Sequence, residues 1–466
     1  RPGMVLFSVV VLFLCVGILT PKEMLEGFSN KGMITVALLF LVSEGIRQSG
    51  TLGQVIKKLL PQGKTTVFKA QLRILPSVAF ISAFLNNTPV VVIFAPIIKH
   101  WAKSVKLPAT KFLIPLSYVT ILGGICTLIG TSTNLVVHGM ILEAGYEGFT
   151  MFELGKVGIF IAIAGIIYLF IFSKRLLPDA RPDTAVPDEE VEEGEKLHRV
   201  EAVLGARFPG INKKLSDFNF QRHYGAEVKE IKTRNGQRYV DHLEDVVLRE
   251  GDTLVVMADD TFIPTWGESS VFVLLTNGND PDTSGKKKRW LALILLVLMI
   301  VGATVGELPA TKEMFPDIKL DMFFFVCITT IIMAWTNIFP ARKYTKYISW
   351  DILITIACAF AISKAMVNSG VADCVAGFII GLSDDYGPHV LLAILFVITN
   401  LFTELITNNA AAALAFPLAL SISAQLGVSP TPFFVVICMA ASASFSTPIG
   451  YQTNLIVQGI GNYKFT

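Results

Sequence analysis

Charge is the scarcest commodity in this sequence. Asp, Glu, Lys and Arg make up 16% of its 466 residues, against roughly a quarter in ordinary soluble domains. With 52% apolar residues and a mean hydropathy of +0.59, the chain is too apolar for a soluble enzyme of its size. Its formal net charge of +2 excludes the one-signed basic surface of a nucleic-acid binder, so no nucleic-acid partner is expected. There are six histidines and six cysteines, at 15, 126, 327, 358, 374 and 438, with no CxxC pair and no His at ligand spacing. This pattern excludes a zinc site and marks the cysteines as small buried hydrophobes. A nucleophile–base pair, a cofactor fingerprint and an ATPase motif are absent too, which excludes an enzyme and a primary pump.

The charge that does exist is segregated. Forty of the 76 charged residues fall between Lys174 and Arg289, in 116 positions, and the other 350 positions hold 36. Such a distribution describes membrane segments on either side of one water-soluble insert. Continuous apolar runs occupy Met4–Thr20, Met33–Val42, Val157–Phe172, Trp290–Val305, Met322–Phe339 and Ile352–Ile362. Several are near 16 residues, about 24 Å of helix, which with tilt and amphipathic flanks can cross a hydrocarbon core of about 30 Å. Four longer zones are apolar but broken by Asn, Thr, Ser, Gly or Pro: Leu72–Trp101, Phe112–Met140, Val390–Leu426 and Phe433–Ile460. Irregular backbone at membrane depth survives only against protein or a wet cavity, so the interruptions mark the working site.

These zones are copies of one another. Leu85-Asn86-Asn87-Thr88-Pro89 leads to Phe94-Ala95-Pro96, as Ile406-Thr407-Asn408-Asn409-Ala410 leads to Ala415-Phe416-Pro417, at an offset of 321. Thr127–Leu135 matches Thr447–Leu455, and Ser49-Gly50 matches Ser369-Gly370, both at 320. Reading Leu72–Trp101 as a re-entrant hairpin and Phe112–Met140 as one broken span leaves five crossings between Met4 and its counterpart Met322. An odd number inverts the second repeat relative to the first. The Lys and Arg residues agree: 57, 58, 64, 69, 73, 99, 103, 106, 174, 175, 286–289, 342, 343 and 346 fall on one side, whereas Glu143, Glu147, Glu153, Asp373, Asp384 and Asp385 fall on the other. This bias puts the insert in the cytoplasm of a protein of the inner (plasma) membrane. The repeat also predicts one further helix before residue 1 and one after residue 466, because Trp290–Val305 and Val157–Phe172 lack counterparts.

A discontinuous helix offers free N–H groups and partial positive charge to an anion, and free carbonyls to a cation. Neutral Asn and Thr can hold both without a buried permanent charge. Asn87-Thr88 and Asn408-Asn409 fall at the two hairpin tips, and Gly130–Asn134 and Gly450–Asn454 at the two breaks, with no Lys or Arg among them. Single Asn or Thr residues are often mere packing glue between membrane helices; four clusters in register are not.

The paired tips and the Gly-Thr-x-x-Asn-type breaks resemble the divalent anion:sodium symporters of the ion transporter superfamily, across Met4–Ser173 and Trp290–Thr466. The family's tip signature is Ser-Asn-Thr; here the tips read Asn86-Asn87-Thr88 and Thr407-Asn408-Asn409, each keeping the central Asn. The resemblance implies substrate contacts from Asn87, Thr88, Asn408, Asn409, Thr447 and Pro448. It implies one sodium ion among Ser82, Asn86, Asn87, Gly130, Thr131 and Asn134, and another among Thr403, Thr407, Asn408, Ser446, Gly450 and Asn454. It further implies a homodimer in lipid with an elevator-like movement of the substrate-binding part. Asn409, where the signature has Thr, alters one contact to the anion. Of the ionisable residues in or near apolar runs, Glu404 is the candidate proton site; Glu44, Asp351 and Lys364 are expected to pair or to lie at an interface.

The expected fold is therefore an all-α polytopic membrane protein with two inverted repeats, residues 1–174 and 289–466. A small, mainly β domain at 199–265 is joined by linkers at 175–198 and 266–288. Pro178–Glu195 is acidic and Pro-rich, a linker composition. Strands are expected at Arg199–Val203, Val228–Thr233 and Asp252–Met257, with a turn at Asn235-Gly236. Leu215–Phe220, Tyr224–Val228 and Leu248–Val256, with its Glu-Gly-Asp-Thr-Leu-Val element, resemble the C-terminal (TrkA-C) module of regulator-of-potassium-conductance proteins. That likeness implies dimerisation and a small regulatory ligand, although no phosphate-cradling Gly-rich loop is present. The function expected is sodium-coupled uptake of a dicarboxylate or sulfate. The competing readings are a sodium/proton or arsenite-type antiporter, and a ligand-gated cation channel or potassium transporter; against the channel, no TVGYG-like filter occurs.

Overall fold

The computed structural model describes residues 2–179, 198–205, 207–233, 237–259, 262, 266, 271–276, 286–381, 387–447, 450–461 and 463. Pro448, the Asn235-Gly236 turn, most of the 175–198 linker, and Asp384 and Asp385 lie outside them. Two series of helices match element for element. The first runs Pro2–Val16, Lys31–Gln48, Thr51–Leu59, a hairpin of Val67–Ser82 and Asn87–Ser104, and a broken span of Thr110–Gly124 and Ser132–Glu143. The second runs Met322–Trp335, Trp350–Asn368, Val371–Gly381, a hairpin of Pro388–Leu405 and Asn408–Leu426, and a broken span of Thr431–Ser442 and Gln452–Gly461. Gly155–Leu176 and Lys286–Gly306 stand outside this correspondence and flank the insert.

Among the described residues six helices are long and apolar enough to cross a membrane, so the chain is a multi-pass membrane protein. The two flanking helices present apolar side chains outward, Phe160, Ile163 and Ile171 on one and Trp290, Val297 and Leu298 on the other. That is the surface a bilayer demands and water does not. The repeated Ser-Gly pair has a backbone explanation. Gly50 and Gly370 have φ of 71° and 73°, a left-handed turn between successive helices that a side chain would strain.

The insert is a five-stranded antiparallel sheet of β1 (His198–Leu204), β2 (Glu227–Lys232), β3 (Arg238–Tyr239), β4 (Thr253–Ala258) and β5 (Phe272–Thr276), in the order β3-β2-β4-β1-β5. Three of these strands fall where alternation places them. β5 pairs with β1 inside the stretch read as a linker, so the sheet continues past residue 265. Along β1 the pleat sends Val200, Ala202 and Leu204 into the sheet's own aromatic core with Phe208, Phe220 and Phe272. Val203 points the other way, into the core of the membrane part. A sheet covered on both faces reads as an apolar run rather than an alternation, as in β4, where Leu254, Val255 and Val256 are all buried.

Candidate functional site

Each hairpin is bound to its own broken span by the same hydrogen bonds. Ser82 Oγ donates to Thr120 O at 2.9 Å, and Thr403 Oγ1 to Ala441 O at 2.7 Å. Thr127 donates to Ala83 O, and Thr447 Oγ1 to Glu404 O at 3.4 Å. Asn134 Nδ2 spans the first break to Gly124 O and Thr127 O (3.4 and 2.9 Å); Asn454 Nδ2 spans the second to Ser444 O and Thr447 O (2.9 and 3.3 Å). Asn134 and Asn454 are thus splints that satisfy carbonyls left open where a helix unwinds. The closeness of these turns requires Gly130 and Gly450, since a Cβ would lie 2.4 Å from Gly124 O at the first and 2.6 Å from Thr403 O at the second.

Between repeats, tips meet breaks crosswise. Asn87 is buried, with its amide nitrogen toward Ser82 Oγ (2.8 Å), Thr120 O (3.1 Å) and Gly130 O (3.3 Å), and its oxygen accepting from the Tyr451 hydroxyl at 2.7 Å. Tyr451 also bonds the Thr131 hydroxyl at 2.9 Å and the Asn408 amide. Asn409 Oδ1 accepts from Ser132 Oγ at 3.1 Å and Thr133 Oγ1 at 3.2 Å. Shifted by the repeat offset, Asn409 becomes Thr88 and Ser132 becomes Gln452, and Thr88 Oγ1 does approach Gln452 Oε1 at 3.5 Å. Contacts reciprocal in this way require a local two-fold axis. Thr131 and Tyr451 are each other's counterparts and touch, so the Tyr451 hydroxyl lies close to that axis.

The structure thus gathers Asn87, Ser82, Gly130, Thr131 and Asn408 around Tyr451, and joins Asn409 to the first break. Several other candidates are engaged locally. Thr407 caps its helix, accepting from Ala410 N at 3.4 Å, and Asn408 Oδ1 accepts from Asn409 N at 2.9 Å. Asn86 lines a water-sized cavity of about 10 Å³ with Ser43, Ser132 and Leu296. Ser446 is exposed. Glu404 holds the loop before the second break: its Oε1 accepts from Phe445 N and Ser446 N (both 3.1 Å) and its Oε2 from Thr447 N (3.0 Å). Asn400, one turn earlier, donates to Ala443 O at 2.7 Å, so Asn400, Thr403 and Glu404 clamp the unwound segment from one helix face. In the first repeat Ala83 stands in place of Glu404.

A hard cation needs oxygen ligands. Buried oxygens with no hydrogen-bond partner among the described residues include Asn134 Oδ1 in the first half and Thr453 Oγ1, Thr399 Oγ1, Ser442 Oγ and Ser444 Oγ in the second. The last three flank Thr403 and Gly450. No group of three or more His, Cys, Asp or Glu residues able to hold a metal occurs among the described residues. Of the other intramembrane charges, Glu44 pairs with Arg47 at 2.6 Å. Lys364 is exposed.

Tyr451 and Ser117, which donates to Asn454 Oδ1 at 2.7 Å, are among the participants that motif reading misses. Tyr451 was recoverable as the counterpart of Thr131.

Comparison with known proteins agrees with this architecture. The sequence matches the citrate transporter family (CitMHS) over residues 1–424 and again over 318–466. It is 29% identical to an uncharacterized transporter, sll0640, of Synechocystis, over 98% of this chain and 88% of that one. It is 28% identical to a putative sulfur deprivation response regulator of Chlamydomonas reinhardtii, over 99% of this chain and 93% of the relative. A probable sodium/sulfate cotransporter of the same alga is 32% identical over 57% of this chain and 29% of its own length. Two of these relatives are named as transporters, and the chain belongs to the citrate transporter family, a family of transporters and not enzymes.

Proposed function

We propose that this chain couples inward sodium movement to uptake of a small divalent anion, sulfate or a dicarboxylate, by alternating access of an elevator type. The observation that carries the reading is the crosswise meeting of the two hairpin tips with the two helix breaks around Tyr451. It gathers neutral donors at helix N-termini, suited to an anion whose charge is balanced by co-transported cations rather than by a fixed Lys or Arg. The names of the relatives favour sulfate within that class.

In this reading Asn87, Thr88, Asn408, Asn409, Thr447 and Pro448 contact the anion. One sodium ion is held by oxygens near Ser82, Asn87, Gly130 and Asn134, the other by those near Thr403, Ser444 and Gly450. Glu404 is the candidate proton site. Protonation would weaken its acceptance from three backbone N–H groups in the loop that carries Thr447, so proton arrival and anion contact would be linked. The insert is read as a TrkA-C-like domain on the cytoplasmic side, and the carrier as a homodimer of the plasma membrane.

Radiolabelled sulfate and succinate uptake into proteoliposomes tests the proposal, with an inward sodium gradient and then potassium or choline in its place. Sodium-dependent accumulation of either anion is expected. If neither accumulates under any gradient, the symport reading falls.

A further inference from the structure

The insert's sheet sits on one seam of the membrane part. Helix Asn87–Ser104 begins at the first hairpin tip, and helix Gln452–Gly461 begins at the second break. Both run from the Tyr451 cluster to the sheet. On the first, Lys99 Nζ reaches both carboxylate oxygens of Glu201 in β1 at 2.9 Å. That pair is largely withdrawn from solvent, the side chains keeping 26% and 17% of their exposure, and Lys232 of β2 adds a second cation at 3.3 Å. On the second helix, the backbone comes so close to the sheet that a Cβ on Gly459 would lie 2.9 Å from Thr253 Oγ1 and 3.2 Å from Gly251 O. A Cβ on Gly251 would in turn strike Leu455 at 2.6 Å. Val203 fills the space between them as part of the membrane core.

Each helix is therefore a rod with one end at the substrate cluster and the other under the sheet, the first carrying Pro96 within its length. From Asn87 to Lys99 the rod is about 18 Å long, and from Gln452 to Gly459 about 10 Å, at 1.5 Å per residue. The two rods come from different repeats. Their near ends carry Asn87 and, one residue before the second helix, Tyr451, whose mutual hydrogen bond joins the halves of the site.

We infer that the inserted domain is an internal clamp: by gripping Lys99 with Glu201 and seating Gly251 on Gly459, it holds the two site-bearing helices in register and thereby sets the geometry of the Asn87–Tyr451 cluster. Whatever alters the fold or partners of the sheet then alters the site at the far end of both helices. A domain merely tethered by its linkers would have no reason to bury an ion pair against the hairpin arm, because desolvating two charges is costly unless the geometry is fixed. This inference rests on the proposed reading of the hairpins and broken spans as the substrate-binding part.

The test uses the full chain in proteoliposomes and reads the site in two ways. The first is the KM for radiolabelled sulfate under a sodium gradient. The second needs no transport: the rate at which a maleimide labels Thr88→Cys, in a background without the six native cysteines. Lys99→Met and Glu201→Gln are each expected to raise the labelling rate and the KM at least about five-fold. The double variant should do no more than either single one, as one shared interaction requires. Lys103→Met, an exposed cation on the same helix, should change neither. Unchanged labelling in Lys99→Met and Glu201→Gln overturns the clamp, as do additive effects in the double variant. Because Lys99 lies outside the sheet, its substitution still decides the matter should Glu201→Gln unfold the domain. If the unsubstituted carrier takes up no sulfate, the proposed substrate fails while the labelling rates still judge the clamp.

Discussion

Tyr451→Phe is the most informative single change, because it removes one oxygen atom and no volume that matters to packing. In the structure that oxygen donates to Asn87 Oδ1 and receives from Thr131 and Asn408. Thr131 can rotate its hydroxyl, and Asn408 is half-exposed, so both can find other partners. Asn87 cannot: it is 1% exposed, and its amide nitrogen already faces three acceptors. Its oxygen would be left buried and unpaired, at a cost of about 1–3 kcal/mol. Spread over the equilibrium between joined and separated tips, that is a loss of roughly 5- to 150-fold in the population competent to bind anion. The assay is a pair of measurements on one preparation: KM and maximal rate of anion uptake, and the midpoint of thermal unfolding in detergent. A raised KM with a slightly lowered midpoint is expected. Wild-type values of both would refute the claim that Tyr451 joins the two tips, and with it the argument from the two-fold axis.

Other expectations follow from the same geometry. Asn87→Ala and Asn408→Ala should each abolish uptake with expression unchanged, measured by labelled anion in proteoliposomes; normal rates would remove them from the site. Glu404→Gln keeps the side chain's size but loses the charge-assisted acceptance from the 445–447 loop, about 1.5–3 kcal/mol per such bond at most. Its unfolding midpoint should fall, and any pH dependence of uptake that Glu404 causes should flatten. In the insert, burial alone would raise the Glu201 carboxyl above its ordinary 4.5, but Lys99 and Lys232 outweigh it and bring the group down to about 2. A carboxyl depressed in the folded state stabilises the fold above its unfolded value and loses that contribution as pH falls through the folded one. The stabilisation, on the order of 3 kcal/mol, should therefore disappear between about pH 4.5 and pH 2. Glu201→Gln should flatten that acid limb of the midpoint-versus-pH curve. An unaltered limb would mean that Glu201 is not held by the two lysines.

The sequence showed the architecture because membrane physics leaves few alternatives. An apolar run of the right length crosses, a broken one faces protein, and a repeat with odd crossings inverts. The hairpin tips and breaks were visible because Asn and Gly are conspicuous among aliphatic residues, and Asn87, Thr131 and Asn134 do lie together. What escaped were contacts between residues far apart in the chain whose types are unremarkable. Ser132 and Thr133 bonding Asn409, or Ser117 bonding Asn454, leave no local trace. The Lys99–Glu201 pair was hidden for a different reason. Lys99 reads as one more cytoplasmic cation, and Glu201 as the polar phase of an alternating strand, until the sheet's second face is seen to be covered. β5 was passed over because it follows a polar stretch and has only five residues.

The departures from symmetry carry as much meaning as the symmetry. If both halves were identical, the state with one repeat open and the state with the other open would have equal energy, and a carrier would rest in either. Here the counterpart of Ser117 is Cys438, a fully buried thiol and a weak donor, and the oxygen it would serve by symmetry, Asn134 Oδ1, is the one without a partner. The counterpart of Asn454 is therefore the less firmly held splint. Cys438→Ser supplies the missing donor in nearly the same volume. If symmetry describes the site correctly, this change should stabilise the protein by about 0.5–1.5 kcal/mol, read as a raised unfolding midpoint, and should make the two helix breaks more alike. A serine left without its partner would instead lower the midpoint through the cost of a buried hydroxyl. The sign of the shift thus reports whether Asn134 faces residue 438 as Asn454 faces Ser117.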